Sequence, residues 1–293
     1  MSDFSINNTN TKILDHIVHL APPGSLRATS QQFRELGFKV IPGGTHTDGL
    51  TANALVILAD GVYLELIAFT YPPWHFPPGS PERRERDAHP WASKIPGWID
   101  YAFLGNGSLS SRISDIINER ARHDHSGVTY APEWASGRQR TDGRALRWVI
   151  SAPDEQKHGR GTLPFFCGDI TPRGWRVPSD PPSNMDHPCT AKGIKYILLL
   201  TESWDLLPLS RQLTSVIGAL PTESESTEKQ KIWNLDSVHH SHPQLILRTA
   251  ITVSEREFIT KVGTGIYEVA FAVDGRKEGH ANTPYGRIVW TPV

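Results

Sequence analysis

A repeated order of elements constrains this chain more tightly than any other feature. Leu14-Asp15-His16-Ile17-Val18-His19-Leu20 is an apolar run with strand-like alternation, stopped by Pro22-Pro23-Gly24. Ser25 is a suitable helix N-cap, and Leu26, Thr29, Phe33 and Leu36 fall on one face of a short helix that Gly37 closes. Strands are expected over 38–41, 54–59 and 62–69, the last two joined by Asp60-Gly61, a two-residue hairpin signal. The same order returns from Ile99-Asp100-Tyr101-Ala102-Phe103-Leu104. There Ser108 is expected to cap a helix with the stripe Leu109, Ile113, Ile116 and Ile117, followed by strands over 128–134, 145–151 and 163–167. Laid over the first unit, Asp100 falls on Asp15 and Tyr101 on His16. A looser third stretch reads as a strand over 193–201, a helix over 204–217, a polar loop over 221–231, and strands over 245–251, 265–273 and 286–290.

The fold class that follows is α+β, with two tandem βαβββ units and an extra C-terminal βα-β unit packed on the same body. The expected divisions are 12–97, 98–192 and 193–293, with a Pro-rich arm after the first unit and a long loop after the second. With 38% hydrophobic residues, the chain can bury a sizeable core, and its 24 Gly and 23 Pro suit long ordered connections. A net charge of −1 gives no basic excess for nucleic acid. The one basic run, Arg83-Arg84-Glu85-Arg86, is interrupted by an acid and reads as a solvated loop. No apolar stretch suffices to span a bilayer, and residues 1–12 are polar, unlike a signal peptide. Cys167 and Cys189 show neither a disulfide framework nor metal-ligand spacing. A cytoplasmic protein, monomeric or homodimeric, with no membrane partner, is expected.

The first-unit motifs carry a resemblance. Leu14-Asp15-His16-Ile17-Val18, then Gly43-Gly44-Thr45-His46 with Asn53, then Asp60-Gly61-Val62-Tyr63-Leu64-Glu65-Leu66 resemble the glyoxalase-like family of the vicinal oxygen chelate (glyoxalase, bleomycin-resistance and ring-cleaving dioxygenase) superfamily. Leu163-Pro164-Phe165-Phe166 resembles the closing strand of the second unit, so the match covers roughly residues 12–175. It implies paired units in a curved mixed sheet around a divalent metal, with ligands from the first and last strands of each unit. His16 and Glu65 are thereby nominated as metal ligands, a donor pair suited to Zn, Fe, Mn, Ni or Co. Glu65 also stands out unaided, because an acid in so apolar a strand needs a cation, a donor or a proton. In the second unit, Tyr101 takes the place of the partner histidine, and Cys167 or Asp169 that of the second carboxylate.

The remaining candidates surround that pair. His46 is a third ligand, a substrate contact or a base, and with Glu65 and Tyr101 it forms the proton-transfer set. Arg138, Arg140, Arg144 and Arg147 crowd one stretch, with Arg173 and Arg176 soon after; Arg138 and Arg140, on one strand face, suit a clamp for a substrate carboxylate. Asn53 and Trp98 are further substrate contacts. His19 reads as a core histidine, and His239, His240 and His242 as loop residues.

A small-molecule, metal-dependent enzyme of lyase or isomerase type, or a dioxygenase-like one, is expected, chelating adjacent substrate oxygens on the metal. Phosphate-cradling and dinucleotide motifs are absent, so no nucleotide cofactor is expected. Two other readings stand beside it: a metal-free cyclase or isomerase of a specialised metabolite, and a ligand-sequestering protein of the bleomycin-resistance kind.

Overall fold

The computed structural model of the chain describes residues 10–140, 142–154, 157–223, 227–275, 278–283 and 286–293. Residues 1–9 of the polar start and 224–226 of the expected loop lie outside the described residues. The first repeat is β1 (Ile13–Ala21), α1 (Leu26–Glu35), β2 (Ile41–His46), β3 (Thr51–Ile57) and β4 (Tyr63–Phe69). After α2 (Pro81–Asp87), the second is β5 (Gly97–Leu104), α3 (Ile113–His123), β6 (Trp134–Arg140), β7 (Ala145–Ser151) and β8 (Phe165–Asp169). In each repeat the first strand lies parallel to the last, and the others pair antiparallel. β1 pairs antiparallel with β5, and β2 with β6, so eight strands close into a ring. The α+β class and the tandem βαβββ order hold, and the curvature of the mixed sheet runs to closure.

Closure gives every strand an inner and an outer face. Val18, Leu20, Ile67, Ala102, Trp148 and Phe165 pack within the ring together with Trp91 from the arm. Leu14, Ile17, Tyr101 and Phe103 face outward into a larger core shared with Phe33, Phe38 and the C-terminal residues Leu199, Phe271 and Trp290.

That C-terminal part follows α4 (Arg173–Arg176). It comprises β9 (Ala191–Thr201), α5 (Leu206–Ile217), β10 (Gln230–Asn234), β11 (Asp236–Ser237), β12 (Gln244–Thr249), α6 (Val253–Val262), β13 (Gly265–Val273), β14 (Gly279–Thr283) and β15 (Gly286–Pro292). β11 extends β1; the other six form a second sheet ordered β10-β12-β9-β13-β15-β14. Its pairing repeats that of the ring. β9 is parallel to β12, β13 is parallel to β15, and β9 meets β13 antiparallel. Two abbreviated copies of the repeat stand where one βα-β unit was expected: β9-α5-β10-β12 has one strand fewer, and β13-β14-β15 has one strand fewer and no helix after its first strand.

Other differences have local causes. Arg83-Arg84-Glu85-Arg86 forms the body of α2 rather than a solvated loop, because the Ser80 side chain accepts from the Arg83 N–H and Pro81 opens the helix. Arg86 is buried, with its guanidinium 4.2 Å from the centre of the Phe69 ring. β2 and β6 start later than expected, since their extent is set by pairing across the seam between repeats rather than by propensity. Ser25 sits at the start of α1, but its hydroxyl bonds the Pro22 carbonyl instead of capping. Ser108 holds a turn before α3, accepting from the N–H groups of Ser110 and Ser111.

The Asp60 turn joins the ring to the second sheet. Its N–H donates to the Lys192 carbonyl at 3.1 Å, and its carboxyl accepts from the N–H groups of Ile194 (2.9 Å) and Val62 (3.0 Å) and from the Ser241 hydroxyl (3.2 Å). Burial pushes this carboxyl up to about 6. A Cβ on Gly193 would stand 2.4 Å from the Asp60 Oδ2. Gly193→Ala should therefore cost about 1–3 kcal/mol in urea unfolding, with ring and second sheet still lost in one transition. Wild-type stability would show that this joint does not hold the two together.

Candidate active site

A cavity of about 250 Å³ lies inside the ring, lined by His16, His46, Asn53, Tyr63, Glu65 and Arg138 among others. Its first-repeat side is built around Glu65. The Asn53 Nδ2 donates to Glu65 Oε1 at 2.5 Å, while the Asn53 Oδ1 accepts from the Gly44 N–H at 3.1 Å. A Cβ on Gly43 would stand 2.0 Å from that same oxygen, which explains a Gly-Gly pair in β2. His16 Nε2 lies 3.7 Å from Glu65 Oε2, and His46 Nε2 lies 3.8 Å from Oε1. Both gaps exceed a hydrogen bond.

The far nitrogens of both rings are engaged. His46 Nδ1 lies 2.7 Å from the Thr51 hydroxyl. His16 Nδ1 lies 2.7 Å from Asp15 Oδ2, and the ring stacks on Tyr63 with centroids 4.7 Å apart. Asp15 is fully buried. Burial works to raise its pKa, but Arg173 and Arg176 beside it hold it well below the usual carboxylate range. As an ionised acceptor it takes a hydrogen bond from Nδ1–H, which leaves Nε2 as the ring nitrogen that faces the cavity. Arg176 donates to Asp15 at 3.0 Å, to the Tyr63 hydroxyl at 2.6 Å and to Asp169 at 2.5 and 2.8 Å; Arg173 also bonds Asp15. For His46, burial lowers the pKa below its ordinary 6.5 and so favours the neutral ring, outweighing the nearby Glu65, which works to raise it.

The second repeat is built differently, and the register shows how. β1 carries an extra residue at Asp15 and β5 one at Ile99, so the two bulges are counterparts. His16 then corresponds to Asp100, not Tyr101, and Ile17 to Tyr101. One residue of slip turns a side chain to the other face. Tyr101 accordingly points outward, fully buried, its hydroxyl donating to the Thr162 carbonyl at 3.2 Å, away from the cavity and its proton chemistry. Likewise Val18 pairs with Glu65 as Ala102 pairs with Phe165, which makes Phe165 the counterpart of Glu65 in place of Cys167 or Asp169. Asp100 is sealed by Arg160 at 2.8 Å and the Trp91 Nε1–H at 2.9 Å.

The other candidates divide cleanly. Arg138 lines the cavity, but Arg140 lies past it, bonding the Trp175 carbonyl at 3.0 Å and Asp142 at 3.1 Å, so these two do not form a clamp. Trp98 stands on the outer face, donating to the Arg287 carbonyl at 3.0 Å, and does not reach the cavity. His19 is fully buried against Thr283, and His239, His240 and His242 are exposed. Missed as site residues from sequence were Asp15, Tyr63, Asp100 and Arg160, while Arg176 was noted only as one of an arginine group. The burial argument that singled out Glu65 applies equally to Asp15 and Asp100, each an acid in an apolar strand; their arginine partners come only from tertiary contact.

A divalent ion is what the superfamily implies, and the donors of one repeat suit it. Two imidazoles with their far nitrogens held by outer partners face both oxygens of one carboxylate, an acceptor set that calls for something electropositive between them. The gaps of 3.7 and 3.8 Å slightly exceed the separation of two donors sharing one first-row ion, roughly 3–3.5 Å. As the side chains stand, no three His, Cys, Asp or Glu groups among the described residues are gathered as a metal-binding cluster. Binding an ion here would draw His16, His46 and Glu65 together.

The closed pair of βαβββ repeats around such a cavity defines a protein of vicinal oxygen chelate type. A family model described as "Glyoxalase-like domain" matches residues 14–208, about two thirds of the chain, and the chain belongs to that family. A search of curated proteins found no match. Among solved structures, a hypothetical protein from Staphylococcus aureus is similar at 11% identity and TM-score 0.67, over 96% of this chain and 99% of that one. A mutant of 4-hydroxymandelate synthase from Streptomyces coelicolor matches at 12% identity and TM-score 0.49, over 90% and 71%. Among the described residues, no helix is long and apolar enough to cross a membrane.

The lowered pKa of His46 sets a test. Its imidazole should titrate below 6.5 by NMR, so that its neutral form persists into mildly acidic solution. Unfolded chains would protonate this residue first, and its contribution to stability should fall as pH drops through 6.5. A midpoint at or above 6.5 would contradict the buried, neutral ring.

Proposed function

We propose that the chain is a glyoxalase-like enzyme of lyase or isomerase type, acting on a small molecule that carries adjacent oxygens. The observation that carries this reading is the convergence of His16, His46 and Asn53 on Glu65 in one cavity inside the ring. His16 and Glu65 would hold a divalent metal, with His46 beside them; bound there, the ion would polarise a substrate oxygen as a Lewis acid. The protein's own groups do the rest. Asn53 fixes one face of the Glu65 carboxylate, leaving Oε2 toward the cavity to take a proton from carbon next to a carbonyl. His46, neutral and with its Nε2 toward Glu65, is placed to receive or return a proton. Trp91, Trp148 and Phe165 exclude water and orient the substrate.

A second reading is a metal-free isomerase or cyclase using the same acid–base groups. Its support is the second repeat, where Phe165 and a sealed Asp100 stand in the places of two ligands. Elemental analysis decides between them. The purified protein should hold close to one first-row divalent ion per chain, and the double variant His16→Ala, Glu65→Ala almost none. Equal, substoichiometric metal in both, with turnover that survives a chelator, would favour the metal-free reading.

A further inference from the structure

Three guanidinium groups line the cavity, and two are neutralised by the protein. Arg176 lies between Asp15 and Asp169, and Arg160 lies on Asp100. Arg138 is different. It is 4% exposed, and no carboxylate stands within salt-bridge distance of it among the described residues. Its one hydrogen bond there is long, 3.4 Å from Nη2 to the Arg176 carbonyl. Glu65 and Tyr63 act on it through space without pairing to it. Arg138 is fixed in register opposite His46 at the seam of the two repeats, so both point into the ring. None of its nitrogens is among the fully buried polar atoms left without a partner, so its unmatched N–H groups open to the cavity, where a ligand can complete them.

We propose that the substrate of this site is a small organic monocarboxylate with an oxygen on the neighbouring carbon, its carboxylate held by Arg138. The planar fork of arginine matches a carboxylate with two parallel hydrogen bonds. One unpaired cation in about 250 Å³ suits a single negative charge better than a phosphate. With the carboxylate on Arg138, the adjacent carbon faces His46 and Glu65, and the apolar remainder lies among Trp91, Trp148 and Phe165. This rests on reading the cavity as the active site, and it names the substrate class that reading leaves open.

The test is equilibrium binding by calorimetry, which requires neither turnover nor metal and so stands or falls separately from the metal analysis. The probes are 4-methyl-2-oxopentanoate, its methyl ester and inorganic phosphate. Wild-type protein should bind the keto acid about tenfold or more tightly than the ester or phosphate. Arg138→Met should lose that preference, Arg138→Lys should retain part of it, and Arg138→Met should melt at or above the wild-type temperature. Equal binding of acid and ester, no binding of the acid by the wild type, or preference for phosphate would overturn the proposal. Undiminished acid binding by Arg138→Met, or a melt well below wild type, would assign Arg138 a structural role instead.

Discussion

Asp15 is the constraint on which the site depends. It is an acid with no solvent exposure, set on a bulge in β1, and it meets His16 from its own strand and Arg173 and Arg176 from the helix after β8. A buried charge is tolerable only when it is paired and hydrogen-bonded, and here the pairing is complete. One consequence is structural: the end of the second repeat is tied to the first strand of the first. The other is chemical: the tautomer of His16 is set, and its free nitrogen faces Glu65. The strand that opens the chain is thus also the strand whose local irregularity aims the site.

The two repeats share a fold but not a task. Bulges at Asp15 and Ile99 relate them residue by residue, and the first repeat places His16, His46, Asn53 and Glu65 around one point. At corresponding places the second offers Asp100, closed by Arg160 and Trp91, and Phe165, whose ring lies 4.6 Å from the Arg160 guanidinium. Its contribution to the cavity is aromatic walls and the unpaired Arg138. A symmetric scaffold has become a lopsided pocket, polar and titratable on one side, apolar with a cation on the other.

Much of this was readable in the chain. Element order and hairpin signals placed the tandem repeats, because local periodicity and turn chemistry agree there with the final fold. Glu65 declared itself as an acid in an apolar strand, and His16, His46 and Asn53 came with the family motifs. Tyr101 and the second carboxylate were misplaced for a physical reason: a bulge shifts alternation by one residue and leaves no mark in an apolar run. Arg140 shares a strand face with Arg138, but only the three-dimensional end of the cavity separates them. α6 was overlooked although Thr252 and Glu255 form a reciprocal cap, a signal that periodicity alone does not carry. The strands β10 and β14 are only five residues each, and they exist because neighbours pair with them.

At the centre stands Glu65, a side chain held by one amide and facing two histidine nitrogens that it does not bond. An acid serving stability would be fully paired, as Asp15 is; one serving function is carried at some cost to the fold. Thermal melts of Glu65→Gln separate these directly. The glutamine keeps the volume, can still accept from Asn53 at the Oε1 position, and places an N–H donor at the Oε2 position facing His16 Nε2. A melting temperature at or above the wild type, with ligand or metal binding lost, is what this account predicts. A fall of several degrees with binding intact would show that Glu65 is a structural acceptor and that the site lies elsewhere.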